Sequence, residues 1–212
     1  MKAQRESIAF PRGLVHGTVA LNFRKNPPSE FGVYADAFHE AGRTLVQKLA
    51  EANGYLDTDA CPIIFLYRQA LELYIKGTLV SGERLLALEG KALPIDKRLL
   101  GSHRLSPLVP GLVSVFRVAG WQWVTDVPHF RSASEFCRYL KALEAVDPLS
   151  FAFRYPTDKS GKANLAHHFS FSIVAFAEIL DPVLEFLSGG LSGLEDLWQE
   201  AAEAAHERQR RT

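Results

Sequence analysis

The stretch PIIFLYRQALELYIKGTLV, residues 62–80, decides the fold. It is apolar almost all round a helical cylinder, which places it at the centre of a bundle. Pro62 follows Cys61 and suits the first turn of a helix, where the missing N–H removes no bond. The pattern predicts a helix from Cys61-Pro62 to Val80, then a long connection over 81–102 with a helical piece over 83–89. Three charges interrupt the apolar surface. Arg68, Glu72 and Lys76 recur every four residues and share one face. Such a stripe is either an intrahelical salt-bridge ladder at the bundle surface or one wall of a charged cleft, where arginine and lysine hold an anion such as phosphate.

Working outward, Ala37, Phe38, Ala41, Leu45 and Leu49 recur at helical spacing from Ser29, and Gly54 ends that run. Residues 1–28 carry Pro11, Pro27, Pro28 and several glycines and read as an irregular arm, with one short strand over 18–23. Beyond the central helix, Pro107 and Pro110 interrupt a segment that settles into helix over 111–119. Trp121 and Trp123 lie in a loop ending at Phe130. Ser132 and Glu135 form a capping box that opens a helix with Phe136, Tyr139, Leu140 and Leu143 on its face. Asp147-Pro148 closes it, and 148–162 reads as loop. A helix over 165–180 meets Asp181-Pro182, which either kinks or restarts it. Gly189-Gly190 ends that stretch, and a second box, Ser192 and Glu195, opens a last helix over 194–208 with Arg208, Arg210 and Arg211 at its end. Strand signals are scarce. The expected class is all-α: one bundle of about five to six helices over 29–212 behind the arm.

Composition agrees with a packed domain. The chain has 212 residues, 47% hydrophobic and 23% charged, which excludes disorder. Lysine plus arginine and aspartate plus glutamate are 24 each, so no strongly basic coat exists, although a local basic patch remains open. The N-terminus has no apolar run of signal-peptide length. The greasiest stretch, 169–187, contains Glu178, Asp181, Pro182 and Glu185, which a bilayer core penalises heavily. Cys61 and Cys137 show neither CxxC nor zinc spacing, and His167-His168 has no carboxylate or cysteine at a ligand spacing. A cytoplasmic protein with no membrane contact, no metal and no cofactor is expected. Walker, dinucleotide, GxSxG and HExxH motifs are absent.

Two further positions can carry chemistry. His103, in His103-Arg104-Leu105, is either a hydrogen-bonding histidine near a helix start or a general acid or base near the Arg68 stripe. The loop FAFRYPTDKSG, residues 151–161, sets Arg154 and Tyr155 before a proline. These residues can grip phosphate or stack on a base, or they can pin the loop, with Arg154 paired to a carboxylate such as Asp158. The basic tail HERQRR reads as a solvated helix end that could touch nucleic acid.

Three elements together carry a resemblance. The run 62–76, the His103-Arg104-Leu105 element and the run DPLSFAFRYPTD, 147–158, resemble in order and rough spacing the elements of HEPN-like bacterial proteins, across about half the chain. The resemblance implies a helical bundle that often dimerises, and a link to RNA cleavage, nucleotide binding, or phage-defence and toxin systems. Ribonuclease members of that family place a histidine after an arginine and four to six residues. Arg98 and His103 match that spacing, with Leu99 where the family commonly has a polar residue. The resemblance implies a catalytic set of His103, Arg68 and Arg154 in metal-independent 2′-hydroxyl attack, and a phosphate- or nucleotide-binding set of Arg68, Lys76, Arg154 and Tyr155. The competing readings are a non-catalytic bundle that binds a protein partner or a nucleotide, with Trp121 and Trp123 as exposed anchors, and a subunit of a larger assembly whose arm drapes over a neighbour.

Overall fold

The computed structural model describes residues 30–52, 54–88, 90–123, 125–165 and 170–211. The expected arm, its short strand and the His167-His168 pair lie outside the described residues. Among the described residues five α-helices form an all-α bundle: α1 (Glu30–Glu51), α2 (Ala60–Leu88), α3 (Val109–Val118), α4 (Ala133–Val146) and α5 (Ile173–Arg211). Among the described residues no strand forms, and a single bridge pairs Thr157 with Ala163.

The central position expected for the 62–80 helix is what packing gives. α2 lies against α1, α3 and α5, and α1 also meets α5. Tyr67, Ala70, Leu71, Tyr74, Ile75 and Leu79 of α2 are buried on all sides. Each large apolar side chain so buried contributes roughly 1.5–3 kcal/mol. Glycines let the helices close in. A Cβ on Gly77 would lie 2.8 Å from Phe31 Cβ, and one on Gly82 would collide with both methyls of Val115.

Tertiary packing overrides several local stop signals. The connection expected from Ser81 is helical to Leu88, because Ser81 donates to Glu195 at 2.6 Å and Leu86 packs into the core. α5 passes without a break through Pro182 and Gly189-Gly190. Leu180, Leu184, Leu187, Leu191 and Leu194 form its buried stripe, and their burial outweighs the roughly 1 kcal/mol each glycine costs. Ser192 and Glu195 therefore lie inside a helix and open none; Glu195 instead serves Ser81 and Arg84 of α2. Ser132 caps α4 as expected, accepting from Glu135 N at 3.2 Å, but the Glu135 carboxylate accepts from Arg131 N at 3.0 Å, one residue before the N-cap N–H that a full capping box uses.

Polar links staple the three long helices. Tyr67 and His39 both reach Asp181 Oδ1 at 2.8 Å, and Tyr74 donates to Asp36 Oδ1 at 2.5 Å. Burial raises the Tyr67 and Tyr74 phenols well above their ordinary range, and the accepting carboxylates raise them further. No described helix is long and apolar enough to cross a membrane.

Candidate functional site

The site is organised by two carboxylates at the C-terminal end of α4: Glu144, which sequence reading left without a role, and Asp147, which it read only as the helix stop. Glu144 is buried and accepts from Leu105 N, from Ser106 N at 2.8 Å and from Ser106 Oγ at 2.7 Å. Asp147, at the C-terminal end of α4, accepts from Phe151 N at 2.8 Å and Ala152 N at 3.0 Å. Ser150 takes the left-handed conformation, φ 60°, which turns the chain back over that carboxylate. One helix end thus grips two loops, the one after His103 and the one before Arg154, and seats them side by side. Their spacing of three residues was the available signal.

Arg68 lies beneath both loops and is 2% exposed. Its Nη2 donates to the His103 carbonyl at 2.9 Å, and its Nε faces Asp147 Oδ2 at 3.4 Å. Of the expected ladder the Glu72–Lys76 rung forms and the Arg68–Glu72 rung does not, because Arg68 pairs across the bundle instead. Arg68 is also not presented to solvent, so a phosphate would have to displace Asp147 to reach it. Lys76 donates to Glu72 at 2.7 Å and is nearly buried with it. Neither cation meets the expectation of an open phosphate ligand, because each is matched to a buried carboxylate.

His103 stands differently. Its Nδ1 sits 3.0 and 3.2 Å from the two oxygens of Glu72, whose side chain is 4% exposed, while the His103 side chain is 44% exposed. A carboxylate on Nδ1 fixes the ring orientation and leaves Nε2 as the reactive nitrogen. Among the described residues Nε2 has no hydrogen-bond partner. The ring meets Phe151 edge-on, centroids 6.4 Å apart.

Arg154 completes the exposed face. Its Nε donates to Ser150 O at 2.6 Å, and its guanidinium carbon lies 4.7 Å from the Phe151 ring, 5.2 Å from Phe65 and 5.7 Å from Tyr155. The expected pairing with Asp158 does not form. Asp158 accepts instead from Ser160 and Lys162 of its own turn, and the Ser160 hydroxyl bond leads the contacts that hold its pKa below the usual carboxylate range. Phe151 and Tyr155 are exposed. A groove of about 860 Å³ continues from them past Leu149, Lys159 and Asn164. His103, Phe151, Arg154 and Tyr155 therefore share one solvent-facing surface, with Arg68 as its buried support.

Arg98 is not part of it. Asp96 holds it at 2.8–3.0 Å on an exposed 3-10 turn. The two tryptophans are not free anchors either: Trp123 packs between Phe116, Phe136 and Phe186, and Trp121 against Phe116. Among the described residues no group of three or more His, Cys, Asp or Glu is placed to hold a metal ion. No protein-family model, curated protein or solved structure matches the chain.

Proposed function

We propose that the protein is an HEPN-like RNA-binding protein whose His103 face engages a nucleotide phosphate and can cleave RNA without a metal. The observation that carries this reading is a partly exposed imidazole held at Nδ1 by a buried glutamate, beside an arginine framed by exposed aromatic rings. Phe151 and Tyr155 offer stacking surfaces for bases, and Arg154 offers a charge for phosphate. His103 Nε2 takes the proton of a ribose 2′-hydroxyl. The 2′-oxygen then attacks phosphorus, and the 5′-oxygen leaves with a proton from solvent, so a 2′,3′-cyclic phosphate remains. Arg154 stabilises the charge on the phosphoryl oxygens. Arg68 and Lys76 act by positioning, Arg68 through the His103 carbonyl and Lys76 through Glu72.

Binding tests the face itself. Fluorescence anisotropy with a labelled single-stranded RNA should show affinity falling about tenfold for Arg154→Ala and for Tyr155→Ala, since base stacking is worth about 1–3 kcal/mol and loss of a phosphate contact is of similar size. Arg98→Ala, on the separate turn, should bind as the parent does. Equal affinity in all four proteins would remove the reading.

A further inference from the structure

A second groove, of about 820 Å³, lies where the C-terminal end of α1 meets the starts of α2 and α5. Tyr55 and Leu56 on its lip are 62% and 70% exposed, and Phe171 is exposed with them. Three large apolar side chains in one concave patch are uncommon on a finished surface. Among the described residues the charged side chain lining the groove is Asp57; Asp59 and Glu51 stand next to lining residues, and no described lysine or arginine lines it.

The sequence holds a segment of complementary character. Among the first 29 residues are five cations, Lys2, Arg5, Arg12, Arg24 and Lys25, against the single carboxylate Glu6. That segment carries +4 and the remainder of this neutral chain −4. Within it, Ile8 and Phe10 stand two apart, the spacing that puts two side chains on one side of an extended chain, and Arg5 and Arg12 flank them. Reach is ample. The groove lies about 30 Å along α1 from Glu30 at the rise of a helix, and about 20 extended residues span roughly 66 Å.

We infer that residues 5–12 of the same chain dock in this groove, Ile8 and Phe10 against Leu56 and Phe171, with Arg5 and Arg12 toward Asp57, Asp59 and Glu51. Phe153 also lines the groove, one residue before Arg154. The docked segment therefore braces the loop that carries the RNA face from behind. This inference stands on the groove and the segment and does not depend on RNA binding.

Cys61, half-buried in the groove, reports on it, and Cys137 lies elsewhere on the bundle as an internal reference. The experiment is iodoacetamide alkylation of the full chain, read by mass spectrometry as the Cys61 rate relative to Cys137. Phe10→Ser and Leu56→Ser should each raise that ratio about tenfold, the factor expected when one large apolar side chain loses its burial. Val19→Ser, in the same segment but outside 5–12, should leave it unchanged, and the ratio in the parent should not vary with protein concentration. If Cys61 of the parent reacts as fast as in Phe10→Ser, no segment covers it and the inference is wrong. Protection that strengthens with protein concentration would overturn it equally, because the segment would then lie on a second copy.

Discussion

Asp147→Ala should be the most damaging single substitution near the site. The Asp147 side chain is 5% exposed, faces Arg68 at 3.4 Å and accepts two backbone N–H groups at 2.8 and 3.0 Å. Alanine would leave a guanidinium that is 2% exposed without its counter-charge, which costs about 3–5 kcal/mol. It would also orphan the N–H groups of Phe151 and Ala152, at about 1–3 kcal/mol each where water does not reach them. These losses overlap, since the loop relaxes toward solvent, and about 4 kcal/mol is the expected total. Against a typical stability of about 5–15 kcal/mol that is a large fraction. Asp147→Asn keeps an acceptor for both N–H groups but removes the counter-charge and turns an amide N–H toward Arg68 Nε, so about 3 kcal/mol is expected. Arg68→Met removes the buried cation. It takes away the Nη2 bond to the His103 carbonyl and leaves the Asp147 carboxylate, still held by two N–H donors, without its counter-charge, so about 3 kcal/mol is expected. Urea unfolding followed by circular dichroism measures all three, provided the slopes agree. The reasoning is refuted if both Asp147 variants stay within about 1 kcal/mol of the parent, or if Arg68→Met costs more than Asp147→Ala.

Further expectations follow from the core. Tyr67, Tyr74 and Tyr139 hold their protons well above the ordinary phenol range, through burial in all three and through Asp181 and Asp36 in the first two. Below pH 10 both folded and unfolded chains keep these protons, so they add no pH dependence; above it only the unfolded chain releases them, and stability should fall as pH rises. Urea midpoints across the alkaline range check this, and a stability that holds level there contradicts it. Gly82→Ala should cost about 1–3 kcal/mol by thermal unfolding, because its methyl group would overlap Val115. Tyr67→Phe should cost about 1 kcal/mol by urea unfolding, since Asp181 keeps its bond to His39.

The fold class was legible because α2 is apolar on nearly every side, and only a central position in a bundle satisfies such a helix. Helix ends were legible where a local signal had no tertiary competitor. Ser132 caps α4, and Asp147-Pro148 ends it. They were misread where burial outweighed the local preference, as at Ser81 on α2 and at Gly189-Gly190 on α5. The site was legible in part. His103 and the Arg154-Tyr155 loop, singled out from two separate sequence elements, fall on one face. The roles of Arg68 and Lys76 were not legible, because a helical spacing of four shows which residues share a face and not which carboxylate from another element will neutralise them. The roles of Glu144 and Asp147 in the site were missed for the same reason: their partners are backbone N–H groups of loops, which leave no trace in residue type.

The central claim is that a carboxylate-held His103 works on RNA, and product analysis tests it most directly. Single-stranded RNA incubated with the full chain in excess EDTA should yield fragments ending in 2′,3′-cyclic phosphate. His103→Ala should abolish them while RNA affinity changes by less than about threefold, the loss of one transition-state proton transfer being worth about 10²–10⁴ in rate. Cleavage that persists unchanged in His103→Ala, or no cleavage by the parent on RNA that it binds, would contradict the catalytic account.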